Sequence, residues 1–338
     1  MKMTYRSMLE EVKVEDAVGM ILSHDLTQII PGQFKGRLFK KGHKIQDVDI
    51  PALLRIGKEH IYVMKLQPGF IHEDEASMRI ARAVSGQHIS LTEVNEGKVN
   101  VQSTILGLAS VRQEMIDEIN AFDQVILSTI RTNTVVKQGQ SLAGTRVIPL
   151  IIEEETIRNI EVYAEHNKRN DLSMIEVKPF HPLRVGMITT GSEVVKGLIP
   201  DKFGPIVQTK IEAWGSVIVD QKFVIDDQER IIQEIHAFIK QGVDLILVTG
   251  GMSVDPDDRT PGAIQQSGAQ VVSYGTPMLP GSMLMIAYLG DVPIMGLPGC
   301  VMHDPFTSFD VLLARICAKE RIVRQDIIEM GYGGFYHC

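Results

Sequence analysis

The sequence predicts a doubly wound α/β domain over residues 179–320, preceded by smaller α+β regions. Short apolar runs alternate with helical patterns at βαβ spacing from Leu183 onward. Residues 245–248 are apolar throughout, as a strand buried on both faces must be. Loops of glycine and acid stand where strands give way to helices, the edge at which such sheets bind ligands.

The elements follow in order. Residues 1–70, an N-terminal α+β region, mix short strand-like runs with glycine turns, Pro31-Gly32 among them, and hold a short helix over 49–57 and a strand over 60–64. Residues 71–178 form a middle α/β region after the Pro68-Gly69 boundary. Its first helix buries Ala76, Ile80, Ala83 and Val84 and opens on His72-Glu73-Asp74-Glu75. Those acids suit the positive end of a helix dipole, and no second ligand elsewhere supports a metal reading. Strands at 98–101 and 124–127 flank a helix at 112–119. The apolar run 146–152 leads to a helix over 153–165.

Beyond Lys178-Pro179-Phe180-His181-Pro182 come a strand at 183–189, a helix at 206–214 and a strand at 217–219. A helix that Asp226-Asp227 opens follows, with Ile231, Ile232, Ile235, Phe238 and Ile239 on one face. The strand at 245–248 breaks at Gly250-Gly251, and Thr260-Pro261 reads as N-cap and first residue of the next helix. A short strand at 270–272, a hairpin over 283–295 turned at Gly290-Asp291, and a helix capped by Asp304-Pro305 complete the domain. Residues 321–338 read as a C-terminal tail.

Composition narrows the function. With 44% hydrophobic and 22% charged residues the chain reads as a soluble globular protein. A formal charge of -8, without a basic run carrying interleaved aromatics, argues against a nucleic-acid partner. No apolar run reaches membrane-spanning length and no signal-peptide core follows Met1, so the expected location is cytoplasmic. Cys300, Cys317 and Cys338 match no Cys-x-x-Cys spacing and are expected as reduced thiols.

The loop after the 245–248 strand carries the chemistry. Free amides and small residues at Gly250-Gly251-Met252-Ser253 admit a phosphate, while Asp255, Asp257 and Asp258 would repel it unless a cation intervenes. An anion held together with a hard metal such as Mg²⁺ answers both features; a plain strand-to-helix turn with solvated acids is the alternative.

At these loops the sequence resembles the molybdopterin-binding domain shared by molybdenum insertases, the family of the gephyrin E domain, and molybdopterin adenylyltransferases. The matching pieces are Thr190-Gly191-Ser192-Glu193, Asp226-Asp227, Gly250-Gly251-Met252-Ser253-Val254 with Asp258 and Thr260, Pro280-Gly281, and Gly296-Leu297-Pro298-Gly299. Any one is weak; together, in this order, they are specific. The resemblance implies that adenylylated molybdopterin lies across Thr190, Gly191, Ser192, Gly250, Gly251, Met252, Ser253, Thr260, Pro280, Gly281, Pro298 and Gly299, with Cys300, next in the same loop, as a further candidate contact. It implies molybdate as co-substrate, Glu193, Asp226 and Asp258 as the acids of catalysis, and Asp258 with Glu193 as holders of Mg²⁺. A pterin and molybdate are then the small-molecule partners, with a second copy of the chain or a molybdoenzyme left open as a further one. Asp226 with Glu229 also reads as a capping box.

The chain departs from the insertase pattern. Ser192 stands for an aspartate, Gln208-Thr209-Lys210 for Asp-Thr-Asn, Leu279-Pro280-Gly281-Ser282-Met283 for Lys-Pro-Gly-Lys-Pro, and Gly299-Cys300-Val301 for Gly-Asn-Pro. Two cations that could face a dianion are therefore replaced. Three readings follow: an insertase-like enzyme, a non-catalytic carrier or regulator of the cofactor, and a nucleotide pyrophosphatase, because Asp257-Asp258-Arg259-Thr260 is similar to the Asp-Asp-x-Thr of CinA-type hydrolases. For Cys300, which the resemblance does not explain, the Asp304-Pro305 helix start predicts a thiolate favoured by positive potential; the alternative is a small buried apolar residue.

Overall fold

The computed structural model describes residues 9–30, 34–64, 66–253 and 258–336. The Pro31-Gly32 turn, Val254, Asp255, Asp257 and Cys338 lie outside the described residues. The chain divides into two compact units, one running to Val177 and the other comprising Lys178–Cys338 with Leu106–Leu108. Among the described residues no helix is long and apolar enough to cross a membrane.

In the second unit a six-stranded sheet runs, edge to edge, Val217–Val224, Arg184–Thr190, Leu245–Thr249, Val292–Leu297, Met285–Leu289 and Gln270–Tyr274. The first four strands are parallel, and Met285–Leu289 runs antiparallel to both its neighbours. All five residues of Leu245–Thr249 are buried, and the alternation of side chains divides them between two cores. Leu245 and Leu247 join Val207, Ile211, Phe309, Leu312 and Leu313 on one face. Ile246 and Val248 join Ile231, Ile235, Phe238, Ala263 and Ile264 on the other. Helices Phe203–Glu212 and Ser308–Cys317 thus cover one side, and Gln228–Lys240 with Thr260–Gln266 the other. This is a doubly wound α/β sheet, as the apolar run at its centre requires.

Phe238 is fully buried, and its ring lies 2.6 Å from where a Cβ on Gly186 would stand. Gly186 makes room for the ring in the middle of a strand. Phe238→Ala is expected to cost about 3–5 kcal/mol, the sum of lost transfer energy and an uncollapsed cavity, read as a lower urea midpoint with unchanged slope.

Several boundaries differ from those read in the sequence. The last long helix begins at Ser308, not at Asp304-Pro305, because Thr307 and Asp310 form a capping box there: the Thr307 amide donates to Asp310 at 2.8 Å. Asp227, not Asp226, caps Gln228–Lys240, its carboxylate accepting from the Arg230 amide at 3.0 Å. The helix expected at 206–214 is Phe203–Glu212, opened where Asp201 accepts the Phe203 amide at 2.9 Å. Thr260 lies inside its helix rather than capping it. The run 146–152 is divided between strands Ser141–Val147 and Ile151–Glu153 around Pro149, since proline cannot donate to a ladder. Residues 321–338, read as a tail, contain helix Arg324–Glu329, and Ile322 and Ile327 are buried in the second unit's core.

In the first unit, helix Glu73–Val84 packs Ala76, Ile80, Ala81 and Val84 against Val99, Val101, Ala143 and Val147 of a sheet ordered Val125–Thr129, Ser141–Val147, Val99–Ser103, Ile89–Leu91. His72 caps this helix, its Nδ1 accepting from the Asp74 amide at 3.2 Å. Glu73 is only 7% exposed, and burial pushes its carboxyl above the ordinary range. A carboxyl raised in the folded state supports folding below its unfolded pKa, and that support is lost as pH rises through the folded value. Urea titrations from acid to neutral pH should therefore show wild type losing stability relative to Glu73→Gln; parallel profiles would contradict the assignment.

Candidate functional site

At the carboxyl edge of the parallel strands opens a cavity of about 530 Å³, within the range of small-molecule sites. Ten residues marked in the sequence line it: Gly250, Gly251, Met252, Ser253, Asp258, Pro280, Gly281, Pro298, Gly299 and Cys300. Three separate loops supply them, each following or flanking a strand of the sheet.

The first loop turns because Gly250 and Gly251 hold φ of +88° and +56°, a region open to glycine at little cost. A Cβ on Gly250 would stand 2.5 Å from the Thr190 carbonyl oxygen and 2.6 Å from its Oγ1. Thr260 donates its hydroxyl to the Gly250 carbonyl at 2.8 Å and so ties the loop to the helix behind it. The Thr190 hydroxyl is buried beneath the two glycines and has no hydrogen-bond partner among the described residues. This leaves a polar atom with its hydrogen-bonding capacity unused behind the cavity wall.

Met252 lines the cavity, but its side chain is 5% exposed and its sulfur lies 2.5 Å from where a Cβ on Gly296 would stand. It fills a recess in the core, so what it offers a ligand is backbone. Tyr274, on the far edge strand, donates its hydroxyl to the Met252 carbonyl at 3.0 Å. Burial, and then the charge of Asp258, push this phenol up, which keeps it a donor. Nothing in the sequence marks Tyr274, because it lies 22 residues from its acceptor and on another strand. Phe203 also lines the cavity; the apolar periodicity does not mark it, because its helix starts earlier than that pattern suggests.

The second loop is held through Gly281, whose carbonyl accepts from Ser308 Oγ at 2.7 Å and Thr276 Oγ1 at 2.9 Å. A Cβ there would collide with Ser308. The third loop leads into a short 3-10 turn, Gly299–Met302. Cys300 is thus several residues from the helix that begins at Ser308, and the thiolate reading fails: burial, reinforced by Asp304, pushes its thiol up. It faces the cavity as a neutral thiol.

The remaining candidates do not line the cavity. Asp226 accepts from the Ser192 amide at 3.0 Å and so holds the Thr190-Gly191-Ser192-Glu193 loop. Glu193 is exposed on the short helix Ser192–Val195. Thr190, Gly191, Ser192 and Thr260 support the lining from behind or beside it. Among the described residues no lysine or arginine lines the cavity, and Lys210 is no substitute, since its ammonium is engaged by Asp310 at 2.6 Å and by the Pro305 carbonyl at 2.9 Å. Among the described residues no group of three or more His, Cys, Asp or Glu could hold a metal. Asp258 is the one carboxylate among them that lines the cavity, which suits an ion such as Mg²⁺ that takes one or two protein carboxylates and completes its shell with phosphate and water.

Fold and site together define an α/β domain with a cavity walled by three loops at the carboxyl edge of a parallel sheet. Residues 186–316 match the family model described as "Probable molybdopterin binding domain". Residues 11–65 match a "Domain of unknown function (DUF8806)". A molybdopterin molybdenumtransferase from Synechococcus elongatus is 30% identical over 166 residues, 46% of this chain and 41% of that protein. One from Staphylococcus aureus (strain COL) is 29% identical over 148 residues, 41% of this chain and 34% of its own length. The chain thus spans less than half the length of these relatives. The crystal structure of the molybdopterin biosynthesis enzyme MoaB from Thermus thermophilus covers 41% of this chain and 98% of its own at 20% identity and a TM-score of 0.35.

Proposed function

We propose that the chain acts in molybdenum cofactor biosynthesis, binding adenylylated molybdopterin in the carboxyl-edge cavity for insertase-like transfer of molybdate with Mg²⁺, in the cytoplasm. The observation that carries this reading is the Gly250-Gly251 turn over the unpartnered Thr190 hydroxyl, within a cavity walled by Pro280-Gly281 and Pro298-Gly299. The amides of Gly250 and Gly251 and the Ser253 hydroxyl donate to phosphate oxygens. Asp258, with the ligand's own phosphates, holds Mg²⁺, which supplies Lewis-acid polarisation of the phosphoanhydride. Glu193 acts from the neighbouring loop, and Asp226 positions that loop through the Ser192 amide.

A described lining without lysine or arginine favours a second reading, a carrier or regulator that binds the cofactor without chemistry, because capture of a free oxyanion leans on positive charge. Adding molybdate and Mg²⁺ to the protein loaded with adenylylated molybdopterin separates the two. Release of AMP supports transfer; tight binding without AMP supports the carrier; no binding refutes both.

Cys300 offers a milder test. Its thiol faces the cavity and is half-buried, while burial raises Cys317 to about 11. In a Cys317→Ser, Cys338→Ser background, bound molybdopterin should slow alkylation of Cys300 severalfold. An unchanged rate at saturation would leave the thiol out of the ligand's reach.

A further inference from the structure

The four-stranded sheet of the first unit has a second face. Val99, Val101, Val125, Leu127, Ala143 and Val147 point into the core under helix Glu73–Val84; the intervening positions Asn100, Ile126, Ser128, Gly144 and Arg146 occupy the other side, where a groove of about 480 Å³ runs across the strands. Its floor is cationic. Gly144 pairs with Asn100 and Thr145 with Val99; Arg146 follows on one strand and Lys98 precedes the other, and both line the groove. Gly144 has no side chain to stop the lysine lying across the strand: a Cβ there would meet Lys98 Cε at 3.0 Å and Asn100 Oδ1 at 3.2 Å.

Like charges on neighbouring strands repel, and a sheet normally places opposite signs or apolar groups there. Neither Lys98 nor Arg146 forms an ion pair or side-chain hydrogen bond with a described residue. Glu73 and Glu96 act on Arg146 only at longer range, and Glu96 is already joined to Lys40. The hydroxyls of Ser128 and Ser141, which also line the groove, have no partner among the described residues. Two cations lining one groove without a close ion-pair partner, beside unused donors, match the needs of a multivalent oxyanion.

We propose that this groove is a second ligand site, one that takes the phosphate or pyrophosphate group of a small molecule, with Lys98 and Arg146 as its charged contacts and Ser128, Ser141 and Asn100 as neutral donors. It lies on the first unit and does not depend on the reading of the carboxyl-edge cavity.

Inorganic pyrophosphate is the probe, titrated into the isotope-labelled full chain and followed by amide NMR. Saturable shifts at residues 98–102 and 141–146 at up to millimolar probe are expected, with affinity falling at least about tenfold in Lys98→Ala and in Arg146→Ala. Lys98→Ala should also raise the melting temperature without pyrophosphate and abolish the rise that pyrophosphate gives wild type. Gly251→Val, which alters the other cavity, should leave the groove shifts in place. The proposal is overturned if these amides do not move in wild type, if both charge-removing variants respond as wild type does, or if sodium chloride at matched ionic strength reproduces the shifts, which would make them charge screening only.

Discussion

Gly251→Val is expected to weaken binding of adenylylated molybdopterin by about a hundredfold, equivalent to about 3 kcal/mol of loop distortion. The cause lies in the backbone. Gly251 holds φ at +56°, where a β-branched residue is strained, and its Cβ would point at the Thr260 and Thr190 hydroxyls, 3.0 and 3.4 Å away, not into the cavity. The loop would escape by abandoning the geometry that presents its amides. Gly251→Asn is the informative companion, because asparagine tolerates this region of backbone space. Calorimetry should show the asparagine variant binding better than the valine one. Wild-type affinity in Gly251→Val would remove the phosphate-loop reading.

Asp258→Ala is expected to lower Mg²⁺-dependent AMP release at least about a hundredfold while leaving the fold intact, since it removes a carboxylate of the cavity wall and not an apolar core side chain. Asp258→Asn, which keeps the shape and loses the charge, should fall nearly as far. Thermal melts of both variants should stay close to wild type. Turnover near the wild-type rate with Mg²⁺ would show that the metal is held elsewhere.

Much of this site was legible in the chain itself. Gly250-Gly251 and Pro280-Gly281 announce loops because glycine is the residue that such backbone favours, and ten residues of the motif loops line one cavity. The helix starts were less legible. At 226–227 and 304–307 several acids and a threonine compete as caps within a few residues, and the choice depends on where the preceding loop delivers the chain. Asp226 shows the difference: adjacent to the cap in sequence, it turns instead to the Ser192 amide on another loop.

What the sequence by itself determined is the doubly wound sheet and the glycine loops at its edge, because burial on two faces demands uninterrupted apolar strands and positive φ favours glycine, and both effects act within a few residues. What only the tertiary structure decided is which side chains meet across those loops. Met252 turns into the core over Gly296, Tyr274 reaches the loop from a distant strand, Lys210 is taken by Asp310, and the Thr190 hydroxyl is left without a partner among the described residues. The first three are contacts between residues far apart in the chain, and the fourth is the lack of one; all are set by how the strands order and the helices pack, not by any local spacing.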